Sequence, residues 1–162
     1  MAGVITASEP SWIAPFTGLS PRGFGKLVTV LRREGADAVR KGRPWSLPLE
    51  DRPLLVAAYW RTNLTMRQLA PLFGVSKSTA DRIIDHLGPM FALQPRKRFA
   101  KDTVPAWKEG HNKSHKQVRA RVEHVFARIK TWKILRDCRL KGDGVHHAML
   151  GIARMHNLAL TG

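Results

Sequence analysis

Apolar residues recur at helical spacing along most of the chain, and no window alternates as a half-buried strand would. The sharpest pattern runs from Thr65 to Leu87, TMRQLAPLFGVSKSTADRIIDHL. Leu69, Ala70, Phe73, Val75, Ala80, Ile83, Ile84 and Leu87 there fall on two short apolar faces separated at Gly74. Thr65 stands where its hydroxyl caps a helix from Met66 to Phe73, and Ser76 stands where it caps a second one. Gly74 offers the left-handed conformation that a tight turn between crossing helices needs. The pattern predicts a helix-turn-helix over 65–87, with Val75 dropping into the angle between its arms. Left outside on the second helix are Ser76, Lys77, Ser78, Asp81, Arg82 and Asp85: short hydrogen-bonding groups at a helix start, with cations beside them. A helix end inserted into a major groove needs such groups. Thr65, Arg67, Ser76, Lys77, Ser78, Thr79 and Arg82 are therefore the candidate DNA contacts. An ordinary helical hairpin with a solvated face has the same local pattern and stands as the alternative.

The rest of the chain reads as further helices and basic connections. Residues 1–18 hold Pro10, Pro15 and Gly18 with no sustained period, which predicts a loosely packed lead-in. Ser20 and Pro21 then open a helix with Phe24, Leu27, Val28 and Leu31 on one stripe. The glycine-punctuated segment Arg32 to Arg43 suits either an arm along phosphates or a solvated linker, closed by Pro44 and Trp45. In SLPLEDRPLLVAAYWRT, Ser46 is a cap, the acids suit the helix dipole, and Leu54, Leu55, Ala58 and Tyr59 face inward. Pro53 makes that helix either kink or begin there. It should pack as the helix preceding the helix-turn-helix.

After Leu87, Pro89, Pro95 and Pro105 mark a linker whose cations Arg96, Lys97, Arg98 and Lys101 are candidates for contact with the DNA backbone. Short extended pieces are possible only near Phe99 to Val104. A long helical pattern over about Ser114 to Leu135 places Val118, Val122, Val125, Phe126, Ile129 and Trp132 on one face. Gly142-Asp143-Gly144 breaks the chain, and Asp143 caps a last helix with Val145, Met149, Ile152, Met155 and Leu158 along one side. The expected fold is mainly α: a lead-in over 1–18, a helical DNA-binding domain over 19–93, a basic linker over 94–112 and C-terminal helices over 113–162.

Charge sharpens the picture. With 28 Lys and Arg against 12 Asp and Glu, the formal charge is +16, so a compact state repels itself unless a polyanion is present. Double-stranded DNA is the expected partner. A membrane surface would call for an amphipathic basic helix or a lipid site, and neither is evident. No apolar run reaches the length of a membrane span and MAGVITASEP does not resemble a signal peptide, so the expected location is cytoplasmic, on the nucleoid. Cys138 is the single cysteine, which excludes a disulfide framework and a thiolate metal cluster and reads as a small core residue. His111, His115, His124, His146 and His147 do not have metal-site spacing and read as solvated or capping groups.

Arg119, Glu123 and Lys130 fall within an arc of roughly 40° beside the apolar stripe of the long helix. Taken alone, that spacing is a charged flank with one ion pair of a few tenths of a kcal/mol. Together with the helix-turn-helix and the segment HNKSHKQVRARVEHVFARIKTWKILRDCRLKGDGVHHAMLGIARMHNLAL, it resembles DDE-type transposases of bacterial insertion sequences, of the insertion-sequence-five group. That family carries Tyr, two residues, Arg, three residues, Glu, six residues, Lys on the helix of its third catalytic acid. Arg119, Glu123 and Lys130 match in register, and Lys116 stands at the tyrosine position. The resemblance implies that Glu123 is the last carboxylate of a triad holding two Mg²⁺ ions for attack on DNA phosphodiesters.

The two aspartates of the family lie on strands of a ribonuclease-H-like sheet, one before Gly-Thr and one in an Asp-x-Gly-Tyr-like context. Neither context occurs here. The only acids between Leu87 and Glu123 are Asp102 and Glu109, in a stretch of about twenty-five residues that is too short for a twisted sheet. An internal deletion with its junction near Val104 and Pro105 accounts for this. The C-terminal helices are then left from a catalytic domain whose central sheet is missing. They must cover one another, pack on the N-terminal helices, or stay partly exposed. Glu123 is at most an incomplete metal site, and no Mg²⁺ is expected to be held by this chain alone. The expected protein is a DNA-binding remnant without cleavage or strand transfer, either a homo-oligomer or a partner of a full-length copy. The alternatives are a working transposase subunit complemented by such a copy, and a helix-turn-helix regulator.

Overall fold

The computed structural model describes residues 4–37, 44–92, 123–124, 126–137 and 140–161. After a 3-10 turn at Pro10–Trp12 come α1 (Ile13–Thr17), α2 (Pro21–Arg33), α3 (Asp51–Thr62), α4 (Met66–Leu72), α5 (Lys77–Phe91), α6 (Lys133–Arg136) and α7 (Gly144–Thr161). Among the described residues there is no strand, so the fold is mainly α. Arg96, Lys97, Arg98 and Lys101, the span Phe99 to Val104, Arg119 and Cys138 lie outside the described residues.

The helices are arranged round α3, in which every residue from Asp51 to Trp60 is buried. The inward placement of Leu54, Leu55, Ala58 and Tyr59 is observed, but Val56, Ala57 and Trp60 on the other side are buried as well. A helix apolar all round has to sit at the centre. Packed against it are α1, α5 and α6. Pro53 neither kinks nor opens this helix. It lies in the first turn, where its missing N–H would have had no intrahelical acceptor. Glu50, not Ser46, occupies the N-cap position.

The lead-in is not loosely packed. Ile5 and Ile13 are buried, and the Ile5 N–H donates to the Leu72 carbonyl at 2.8 Å. The reason lies in α3. Asp51 is 6% exposed, and a buried carboxylate needs donors. The chain start supplies them from the Thr6 hydroxyl at 3.0 Å and the Ala7 N–H at 2.6 Å. The neighbouring Arg52 is also buried and directs its donors to the Leu47 and Ala36 carbonyls and to Asp37. Helix α2 follows its sequence pattern: Ser20 Oγ accepts from the Gly23 N–H at 3.1 Å, and Phe24, Leu27, Val28 and Leu31 are buried.

Helix α5 runs past Leu87 through Gly88 and Pro89 to Phe91, so the linker begins later than the prolines suggested. Phe91 is fully buried and meets the Trp60 ring edge-on at 5.2 Å. Burying it offsets much of what a proline within the helix costs.

The long helix expected up to Leu135 ends early. Residues 126–129 are helical, the chain turns at Lys130 and Thr131, and α6 follows. The contacts that stop it are tertiary: the Arg61 guanidinium lies 4.9 Å over the Trp132 ring and donates to the Thr131 hydroxyl at 2.7 Å, while Asn63 Nδ2 donates to the Asp137 carbonyl. The break lets Trp132 and Ile134 enter the core and leaves Phe126, expected on the same stripe, 57% exposed.

Helix α7 packs on α5 and α2 and also touches α6, so the C-terminal helices cover one another and pack on the N-terminal ones while Phe126, Met149 and Leu160 stay exposed. Ile152 and Met155 face inward as expected, but Met149 is exposed and the buried side is completed by Ala148 and Gly151. A Cβ on Gly151 would stand 2.5 and 2.6 Å from atoms of the Trp60 ring and 2.9 Å from Phe91 Cβ. Only glycine permits this approach, and the helix is rotated to present it. Arg154 holds the arrangement from the rim, donating to Glu34 Oε1 at 2.6 Å and to the Met90 carbonyl at 2.7 Å.

Candidate nucleic-acid interface

The helix-turn-helix forms where the caps and apolar positions place it. Gln68 Oε1 accepts from the Thr65 N–H at 3.1 Å and from its hydroxyl at 2.9 Å, tying down the start of α4. Gly74 adopts φ 64°, the left-handed value required of it, and the Val75 N–H returns to the Ala70 carbonyl. Leu69, Ala70, Phe73, Ala80, Ile83 and Leu87 are buried, while Val75 and Ile84 are half-buried. With these fixed, the outward face of α5 follows from helical geometry.

That face opens on a run of hydroxyls. Ser76 Oγ accepts from the Thr79 N–H at 3.2 Å and lies 3.0 Å from Ser78 Oγ and 2.9 Å from Thr79 Oγ1. Ser76, Lys77, Ser78, Asp81, Arg82 and Asp85 are exposed and Thr79 is half-buried; on the α4 side Thr65 and Arg67 are exposed. The first amides of α5, the positive end of its dipole, and Lys77 beside them suit a phosphate oxygen. The hydroxyls and Arg82 suit base edges. Replacing Ser76 by Ala removes the cap and the centre of the hydroxyl cluster. It should cost about 1 kcal/mol and lower the thermal midpoint by roughly 2–4 °C in a scan of the whole chain.

One feature of this face escaped the sequence reading. The Arg82 guanidinium lies 5.4 Å from the centroid of the Trp45 ring, Arg52 lies 5.1 Å from the same centroid, and the His86 ring stacks on Trp45 at 5.2 Å and 22°. Trp45 precedes α3 by several residues and is distant from α5 in the chain, so no periodicity connects them. The only local signal is that Arg82 and His86 are one turn apart.

Glu123 and Lys130, matched to the catalytic signature, are both exposed, Glu123 on helical backbone and Lys130 at the turn that follows residue 129. Among the described residues no three His, Cys, Asp or Glu side chains are grouped to hold a metal ion. A hard divalent cation needs several oxygen ligands at once. Among the described residues no ligand set for the Mg²⁺ that the DDE resemblance implies is brought together, and the Glu123 carboxylate stands exposed. Among them, too, no helix is long and apolar enough to cross a membrane.

Residues 45–97 match the family described as the helix-turn-helix of DDE superfamily endonuclease. The match takes in α3, α4 and α5 and begins at Trp45. The chain is also similar to a protein of Streptomyces albus G described as a transposase for insertion sequence element IS112, with 60% identity over 256 aligned positions that take in all of both chains. That alignment is longer than the 162 residues here, so part of the relative faces no residue of this chain. No solved structure matches.

Proposed function

Because the chain belongs to the transposases of insertion sequence elements, we propose that it is an internally shortened member, of the insertion-sequence-five group, that binds element-end DNA and does not cut it. The observation that carries this reading is the length of the alignment. Sixty per cent of 256 positions amounts to nearly all of a 162-residue chain, so the difference from the relative is concentrated in what is missing rather than spread by substitution. The shortfall is of the size of a sheet with its connections, and the junction near Val104 and Pro105 stands where that sheet would enter.

In this reading the start of α5 enters the major groove. Ser76, Ser78, Thr79 and Arg82 face base edges, Lys77 and Arg67 grip phosphates, and Arg96, Lys97, Arg98 and Lys101 follow the backbone beyond. The protein resides with the nucleoid. Glu123 is the orphaned third acid, flanked in the signature by Arg119 and Lys130, and no chemical step proceeds through it.

Incubating the purified chain with element-end duplex and Mg²⁺ or Mn²⁺ tests both halves of the proposal. Protection of the ends without strand scission is the expected result. Specific nicking that disappears in Glu123→Gln would overturn the loss of activity. A second reading, a mixed assembly with a full-length copy that supplies the other carboxylates, is favoured by Phe126, Met149 and Leu160, which stay exposed on the C-terminal part. Co-expression with an intact copy should then yield a joint complex on DNA.

A further inference from the structure

We propose that Trp45 is a positioning residue for DNA recognition: its indole holds the Arg82 guanidinium in place on the outer face of α5, so that Trp45 sets the selectivity of a base contact it does not itself make. The proposal rests on the DNA-binding reading above.

Three groups meet at this indole, and they differ in what else they do. Arg52 is buried and its donors are taken by two backbone carbonyls and Asp37, so its charge is already compensated and it cannot leave. His86, half-buried one turn after Arg82, stacks on the ring at 22°. Arg52 and His86 therefore fix the plane of Trp45 from α3 and from α5. Arg82 is different. It is exposed and lies over the indole, and among the described residues no carboxylate or carbonyl is hydrogen-bonded to its planar fork of donors. Stacking restrains an arginine without consuming a single N–H, so the fork is pre-aligned for a bidentate acceptor such as the edge of a guanine. An arginine waving in solvent would lose that freedom on binding; this one has lost much of it beforehand.

The test is a double-mutant cycle on duplexes selected by the wild-type protein from a random pool, with unrelated duplex as the reference. Trp45→Leu should weaken the selected duplex roughly three- to tenfold, leave the unrelated duplex unchanged, and have no further effect once Arg82→Ala is present. Trp45→Phe, which keeps a ring, should retain most of the selectivity. Arg82→Lys, which keeps the charge but not the flat fork, should reproduce the loss without touching the indole, and so serves if Trp45→Leu does not fold. A Trp45→Leu effect that is equal on both duplexes, or that persists undiminished beside Arg82→Ala, overturns the proposal, as does an Arg82→Lys protein that selects as well as the wild type. Lys77→Ala separates the two levels. If it and the wild type alike show no affinity for any duplex, the recognition reading itself has failed and this proposal falls with it; if Lys77→Ala weakens both duplexes while the cycle shows no coupling, only the positioning role is lost.

Discussion

Raising the salt from about 50 to about 200 mM should lower the affinity of this protein for duplex DNA about a thousandfold, if around six phosphates are neutralised on binding. The driving force is release of counterions condensed on the duplex, so the slope of log affinity against log salt counts the phosphates engaged. A charge of +16 on 162 residues makes a weak response implausible for any binding that uses the basic face. Arg67 and Lys77 are exposed at the helix-turn-helix, and Arg96, Lys97, Arg98 and Lys101 follow it in the chain. Anisotropy titrations at several salt concentrations give the slope, which should be about −5. Lys77→Ala should make it shallower by about 1 and weaken selected and unrelated duplexes alike. A flat response would reject the interface described here.

Replacing Gly151 by Val should undock the C-terminal helix. The first atom of any side chain at 151 falls within 3 Å of Trp60 and Phe91, and both of those rings are fully buried, so neither can swing aside as the tip of an exposed chain could. Relief has to come from moving α7 off α5, which exposes Ala148, Ile152 and Met155 and separates Arg154 from Glu34 and Met90. Overpacking of this kind costs about 1–3 kcal/mol and more when backbone must move. The thermal midpoint should fall by roughly 5–10 °C, and limited proteolysis should cut within 140–161 while α3, α4 and α5 resist. Trp60→Ala, which empties the same contact from the other side, should cost about 3–5 kcal/mol. A Gly151→Val protein with an unchanged midpoint would mean that the C-terminal helix does not rest on α5.

The docking also closes the core behind the helix-turn-helix. Here Gly151 meets the aromatic pair Trp60 and Phe91, which belong to α3 and α5. The remaining mismatch is visible as exposed Phe126, Met149 and Leu160.

Much was legible in the residues themselves, because it depends on neighbours within one or two turns. The Ser20 and Ser76 caps, the left-handed Gly74, the stripe of α2 and the inside and outside of the helix-turn-helix are local matters of hydrogen bonding and side-chain period, and the structure repeats them. The spacing of Arg119, Glu123 and Lys130 is likewise a matter of sequence, and Arg119 lies outside the described residues. What only the tertiary structure decided was whatever joins distant segments. It placed α3 at the centre with all sides covered, drew the chain start in to satisfy Asp51, ended the long helix where Arg61 meets Trp132, turned α7 to offer Gly151 rather than Met149, and set Trp45 beside Arg82. Periodicity reports that a residue is buried but not against what, and a contact between segments far apart in the chain is chosen by shape and charge in three dimensions.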